Sequence, residues 1–213
     1  FPEYTAVFGN LGSMGGMKTL RQGLCHLASS HMAEEQGTDF NFGPAANVLE
    51  HMPAVVNFCQ REQGLIVPHG NPRNIQSIND LAPNGLRLVN RSLGTGTRQW
   101  LDRAIAAQGL SGQDIPGYDR EVARHLDVGL DILAGRADCG PGIHSVAKLL
   151  GLDFISMHWE RFDVLIATKR FFDSNIQDFL HTLSTPEFAN LTADLAGYDL
   201  SLSGKIIHPA PAS

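Results

Sequence analysis

The sequence lacks most features that would mark a nucleic-acid binder, a disulfide scaffold or a membrane span. Basic residues are few: 16 against 22 acidic ones, for a formal net charge of −6. That balance argues against broad binding to nucleic acid or to anionic membranes, so any anion site must be local. Cysteine occurs only at Cys25, Cys59 and Cys139, without CxxC spacing. An odd, scattered set argues against a disulfide framework or a zinc site and fits a reducing compartment. No apolar run approaches the ~18 residues of a membrane-spanning helix. GxSxG and HExxH motifs are missing. The Gly94-Thr95-Gly96-Thr97 turn has no P-loop lysine. Neither a signal peptide nor an initiating methionine opens the chain, which reads as a mature form or a piece of a longer protein. The expected location is cytoplasmic, with the periplasm as the alternative. No repeat of fixed period and no low-complexity tract is found.

What is present is an ordinary globular balance, 43% hydrophobic and 18% charged over 213 residues. That is enough for two lobes of about 100 residues each. Thr5–Phe8, Leu27–Met32, Val55–Cys59, Gly64–Val67, Leu86–Val89, Ala137–Gly140, Phe154–Met157 and Phe162–Ala167 read as strands. Met17–Cys25, Ala45–His51, Ser77–Leu81, Gln99–Gln108, Asp119–Ala134, His144–Leu150, Ile176–Leu183 and Pro186–Leu195 read as helices. The tail from Pro209 to Ser213 reads as loose. This alternation indicates an α/β class with mostly parallel sheets. The breakers Pro68-His69-Gly70-Asn71-Pro72 mark one crossing between lobes, and the strand Phe162–Ala167 marks the return. The expected organisation is residues 1–68 and 165–213 in lobe I and residues 69–164 in lobe II.

The stretch Asn90-Arg91-Ser92-Leu93-Gly94-Thr95-Gly96-Thr97-Arg98 is the one most suited to chemistry. A strand, a Gly/Thr turn and a helix leave unpaired N–H groups at the helix start, where the helix dipole favours anions. Thr95 and Thr97 add hydroxyls, Gly96 allows close approach to the backbone, and Arg91 and Arg98 add fork-shaped donors. A plain helix cap flanked by arginines is the competing reading. Ser13 stands in a second strand–turn–helix segment, where a simple N-cap is again the competing reading. Ser30 and Gly140 stand at strand ends, where ligands bind in parallel sheets. Cys139 with His144 is a conceivable catalytic pair, although a buried structural cysteine explains Cys139 more simply. Glu160, Asp163 and Asp138 suit a metal or a base, but their spacing does not demand either. No metal site and no cofactor is expected, apart from molybdate or tungstate as bound ligand.

Taken in order, Gly12-Ser13-Met14-Gly15-Gly16, Gly64-Leu65-Ile66-Val67 with Gly70-Asn71-Pro72, Asn90-Arg91 with Gly94-Thr95-Gly96-Thr97-Arg98, Gly117-Tyr118, Gly135-Arg136-Ala137-Asp138-Cys139-Gly140, Gly151-Leu152-Asp153-Phe154 and Gly197-Tyr198-Asp199 form a pattern over nearly the whole chain. It resembles the type II periplasmic-binding-protein-like domain found with helix-turn-helix regulators and molybdopterin-biosynthesis proteins. It is also similar to molybdate/tungstate-binding proteins and to the effector domains of LysR-type regulators. The resemblance implies two Rossmann-like lobes joined by two crossing strands, with ligand held between them. It further implies an earlier strand–helix unit that these residues do not include, so the contacts in this chain are expected to be a partial set.

The leading expectation is a non-catalytic sensor domain for a small oxyanion, molybdate or tungstate first, that regulates transcription or molybdenum-cofactor metabolism. Ser13, Ser30, Arg91, Thr95, Gly96, Thr97, Arg98 and Gly140 are the expected ligand contacts. The expected partners are the anion, a fused or associated helix-turn-helix or molybdopterin-biosynthesis domain, and a second copy in a homodimer. Direct nucleic-acid binding by this domain is not expected. Two alternatives stand beside this reading: a solute-binding receptor of an ABC transporter for the same ligand, and an enzyme or assembly domain acting on a molybdopterin-like phosphate. From the sequence, Arg98→Ala should weaken anion binding by about tenfold or more in calorimetry. Unchanged affinity would remove Arg98 from the site.

Overall fold

The computed structural model describes residues 5–9, 11–34, 40–82 and 85–208. The Pro209–Ser213 tail lies outside the described residues. The chain divides into unit 1, comprising Phe1–Gln60, Glu160–Asp194 and Tyr198–Ser213, and unit 2, comprising Arg61–Trp159 and Leu195–Gly197. Unit 1 opens with α1 (Gly12–Arg21), β1 (Leu27–Ser30) and α2 (Phe42–Val48), followed by the first part of β2 (Ala54–Val67). Unit 2 takes the rest of β2, then β3 (Asn90–Arg91), α3 (Gly96–Ala107), β4 (Glu121–Val122), α4 (His125–Leu133), β5 (Gly140–Ile143) and α5 (His144–Leu150). The strand β6 (Asp153–Ile166) begins in unit 2 and returns to unit 1, where α6 (Ser174–Leu183), α7 (Pro186–Thr192) and β7 (Tyr198–Asp199) follow. Among the described residues, no helix is long and apolar enough to cross a membrane.

The α/β class holds, but the ladders are mixed rather than mostly parallel. The strand path is β1-β6-β2-β5, with β7 also on β2 and a separate β3-β4 pair. In unit 1, β6 returns against the direction of β1 and pairs with it antiparallel, Leu27 opposite Ile166 and Ser30 opposite Asp163. In unit 2, β2 arrives against the direction of β5, Gln63 opposite Ile143 and Ile66 opposite Gly140. Parallel pairing is seen in unit 2, through β3 with β4 and the Leu88–Cys139 bridge.

Each unit has its own core. In unit 1, Met17 and Leu20 of α1 pack with Ala28, Phe42, Ala45, Val55 and Leu165, while Val56, Val164, Ile166 and Ile176 form a second cluster. In unit 2, Leu65, Val67, Leu86, Leu88, Leu101 and Ile105 share one cluster with Cys139. Ile66, Val89, Val128, Ile132 and Ala147 share another. β2 faces both clusters of unit 2 because successive side chains leave opposite sides of a strand.

Several boundaries differ from the sequence reading, each for a local reason. Thr5–Phe8 is irregular rather than a strand, with Val7 and Phe8 exposed; no strand ladder among the described residues includes it, and a lone short strand has nothing to hold it. The first helix starts at Gly12, inside the expected turn. The expected helix from Asp119 is β4 at first, and α4 begins only after Arg124, whose exchange of bonds with Asp127 caps it. Gly140-Pro141-Gly142, read as a turn, is strand β5. A Cβ on Gly140 would lie 2.5 Å from the Val89 carbonyl oxygen, and one on Gly142 would lie 2.5 Å from Ile66 Cδ1. Glycine at 140 is therefore required by the close approach of two backbones, and chain reversal plays no part.

Gly64 makes the same demand on β2, because an added Cβ would strike the backbone carbonyl of Ile155. Gly64→Ala should cost about 3 kcal/mol in urea unfolding. Unchanged stability would show that the two backbones do not approach this closely.

Candidate functional site

In unit 2, β3 delivers Arg91 to the turn that starts α3. Gly94 takes φ +83°, a left-handed conformation that favours glycine. Thr95 is the N-cap of α3: its Oγ1 accepts the Arg98 N–H at 3.3 Å and donates to the Ser92 carbonyl at 2.8 Å. The cap consumes the Thr95 hydroxyl, while Gly96 and Thr97 occupy the first turn, where N–H groups have no acceptor within the helix. Thr97 is buried.

The two arginines have opposite fates. Arg98 is only 4% exposed, and its guanidinium is engaged by the protein itself. Nε donates to Asp102 at 2.9 Å. A terminal nitrogen donates to Glu121 at 3.0 Å and to the Arg91 carbonyl at 3.3 Å. Its Cζ lies 4.2 Å from the centre of the Tyr118 ring. Burial opposes its charge, but hydrogen bonds with Tyr118 and Asp102 outweigh that and hold its pKa above the ordinary value. Arg98 thus braces the turn from behind, and the tenfold binding loss expected for Arg98→Ala is replaced by a loss of stability.

Arg91 is 7% exposed, and its Nε and one terminal nitrogen are buried without any hydrogen-bond partner. Burial and the nearby charge of Arg61 push its pKa below the ordinary arginine value, partly offset by Asp127. Asp127 is already held by Arg124, which donates to it from its backbone N–H and from two guanidinium nitrogens. A desolvated guanidinium with idle donors is costly, and an oxyanion is the natural complement of its fork. Gly140, by contrast, serves packing, as described above.

In unit 1, Ser13 and Ser30 come together. Ser13 is not the cap of α1 but lies within it, and its Oγ accepts the His31 N–H at 3.3 Å. Ser30 ends β1 fully buried, its Oγ without a partner and its carbonyl accepting from Asn41 Nδ2. His31 meets Glu160 at 3.1 Å and stacks on Phe162. The hub of this region is Asp163, fully buried, which accepts from Asn41 at 2.9 Å, Asn57 at 3.1 Å and Arg161 Nε at 2.8 Å. Asp138 is likewise gripped by Arg87 at 2.9 Å. Among the described residues, no cluster of His, Cys, Asp or Glu could hold a metal; these carboxylates are structural acceptors.

The conceivable Cys139–His144 pair is not formed. Burial first, then Asp138, pushes the Cys139 thiol up to about 12, and His144 bonds Glu62 at 2.7 Å while stacking on Phe154. An open hollow of about 440 Å³ in unit 2, bordered by Asn71, His144, Lys148 and Asp153, contains neither Arg91 nor Thr95. One polar group escaped the sequence reading altogether. Gln63 is fully buried in β2, with neither amide atom hydrogen-bonded. Its signal was a polar residue two positions before the apolar run Leu65–Val67, in step with Leu65 and Val67 on one strand face.

A family model described as a PBP superfamily domain matches residues 1–184. The protein YvgK of Bacillus subtilis (strain 168), described as uncharacterized, is 29% identical over 197 residues, or 92% of this chain. The chain spans 63% of that relative's length. Among solved structures, an ABC-type phosphate transport receptor from Vibrio cholerae is similar at TM-score 0.62 with 12% identity, covering 92% of this chain and 88% of that one. A candidate phosphate ABC transporter substrate-binding protein from Clostridium perfringens, solved with bound phosphate, is similar at TM-score 0.65 with 12% identity, covering 89% and 85%.

Two outcomes follow from the geometry. Arg98→Ala leaves Asp102 and Glu121 without their shared cation and should cost about 3 kcal/mol of stability in denaturant unfolding; a variant as stable as the parent contradicts the bracing role. The Cys139 thiol, neutral up to about 12, should resist iodoacetamide in the folded protein at pH ~9, where an ordinary thiol is largely ionised. Rapid labelling of Cys139 under native conditions contradicts its burial.

Proposed function

The chain belongs to the PBP superfamily domain family, and on that premise we propose that it is a non-catalytic domain that binds a small oxyanion. The observation that carries this reading is Arg91, a buried guanidinium with two donor atoms unused and within electrostatic reach of a second positive charge, Arg61. A compact anion supplies the missing acceptors. In unit 1, taken by itself, Ser30 has its buried hydroxyl unpaired.

Molybdate and tungstate come from the family that the ordered motifs resemble, and those motifs mark the family and not the ligand. Phosphate is favoured by the ligands named for the Vibrio cholerae and Clostridium perfringens proteins. All three are tetrahedral and suit the same donors. For the wider role we favour a cytoplasmic sensor read by an attached helix-turn-helix or molybdopterin-biosynthesis domain. The receptor of an ABC transporter is the second reading, supported by the solved neighbours. The enzyme reading has least support, since its best nucleophile, Cys139, is a fully buried neutral thiol.

Calorimetric titration with molybdate, tungstate, phosphate and sulfate tests the proposal. At least one should bind, and Arg91→Ala should weaken that binding by about tenfold or more. Equal affinity in the variant would place the anion elsewhere or nowhere.

A further inference from the structure

We propose that the outer edge of β6 is a self-association surface: two copies of this chain pair along Asp153–Trp159 about a two-fold axis at Ser156, and each sets its Trp159 into the hollow beside Asp153 of the other. This surface is separate from Arg91 and works without an anion.

The sheet itself lays the surface out. β6 has β2 on one side and β1 on the other, but its ladder with β1 spans only Asp163–Ile166. Among the described residues, no strand covers the unit 2 part of that edge, Asp153–Trp159. An open edge carries unpaired backbone N–H and C=O groups and templates another strand. Proteins blunt such edges with short strands, Lys, Pro or bulges. Here β1 and β4 are short, four and two residues. The stretch Asp153-Phe154-Ile155-Ser156-Met157-His158-Trp159 is longer and contains no Lys, Arg, Pro or Gly. Phe, Ile and Trp are instead good strand formers. An edge of this length and composition is built to be covered.

The geometry of the edge names a second copy as its cover. A strand that pairs with its own copy about a two-fold axis runs antiparallel to it, and residues equally far from the axis on its two sides meet. Ser156 is the midpoint of the stretch, and it is small and exposed, which suits the position where a residue faces itself. Trp159 and Asp153 lie three residues from it in opposite directions, about 10 Å each. The axis therefore sets Trp159 of one copy opposite Asp153 of the other, with Ile155 opposite Met157 between them. Trp159 is 45% exposed, a large ring half in water. Asp153 borders the hollow of about 440 Å³, whose other walls include the apolar Val67, Leu152, Phe154 and Ile155 and the cationic Lys148. Apolar walls and a cation suit an indole ring. The Asp153 carboxylate accepts from the Gly70 N–H and meets His69, and it keeps lone pairs for the indole N–H. Knob and hollow thus lie on one edge at the spacing that the two-fold requires, and the contact is made twice.

The test is sedimentation equilibrium on this chain without added anion. One short strand pair with two rings is a small interface, so dimers should dominate at about 100 μM and dissociate near 1 μM. Ser156→Lys sets two ammonium groups face to face on the axis and should weaken association at least about tenfold. Its melting point in dilute solution should match the parent's, because Ser156 is exposed. Trp159→Ala empties both hollows and should weaken association by a similar factor. The chain has two tryptophans, so in a Trp100→Phe background Trp159 alone reports. Its emission should move to shorter wavelength as the protein is concentrated through the same range, a readout that leaves the edge unaltered. A parent that stays monomeric at about 100 μM overturns the proposal, whatever else binds the edge. So does a dimer that Ser156→Lys or Trp159→Ala leaves as tight as the parent's, or one that forms without any change in Trp159 emission, since each places the contact elsewhere.

Discussion

A cation held out of water with two donors unused is the constraint on which the proposed unit 2 site depends. Burying an unpaired guanidinium costs several kcal/mol unless something answers its charge. Around Arg91 the protein answers only in part, through Asp127, which is committed to Arg124. The surrounding structure holds Arg91 in place regardless. β3 pairs with β4, Arg98 ties its guanidinium to the Arg91 carbonyl, and Asp102, Glu121 and Tyr118 hold Arg98. One arginine is thus used up so that the other is presented. On the proposed reading, this bracing orders Arg91 ahead of the anion, which favours tight binding of a small rigid ligand.

Unit 1 offers the contrast of a buried charge fully answered. Asp163 collects an arginine and two asparagines, and Arg161 also donates to the Phe40 carbonyl. A satisfied polar network of this kind fixes one arrangement of the strands around it. Against that background the idle hydroxyl of Ser30 stands out, one residue from the His31 amide that Ser13 receives. The polar groups of the two units therefore sort by a single criterion, whether the protein supplies their partners.

The fold was largely legible because helical and strand periodicities are strong here. α3, α5 and α6 fall close to where apolar spacing puts them. β2 and β6 read as two pieces each because polar residues such as Gln63 and Glu160 interrupt their apolar runs, yet both are continuous. Ladder direction was not legible, since pattern reports burial and not the sense in which a neighbouring strand runs. The site was legible as a neighbourhood but not as a division of labour. The motif Asn90–Arg98 marks the turn beside which the proposed Arg91 contact lies. Nothing in the order of letters tells that Asp102 and Glu121 would take Arg98 and leave Arg91 idle, because those partners are set by tertiary packing. Gln63 falls between the two strands read from the pattern, and its burial follows from the continuity of β2.

The most direct test asks whether Arg91 serves the fold or a ligand. Arg91→Met keeps the length and apolar stem of the side chain and removes the charge. Denaturant unfolding with and without a binding oxyanion is the measurement. The account expects the ligand-free variant to be at least as stable as the parent, and the anion to give it no added stability. A variant strongly destabilised without ligand, yet still stabilised by the anion as much as the parent, would contradict it.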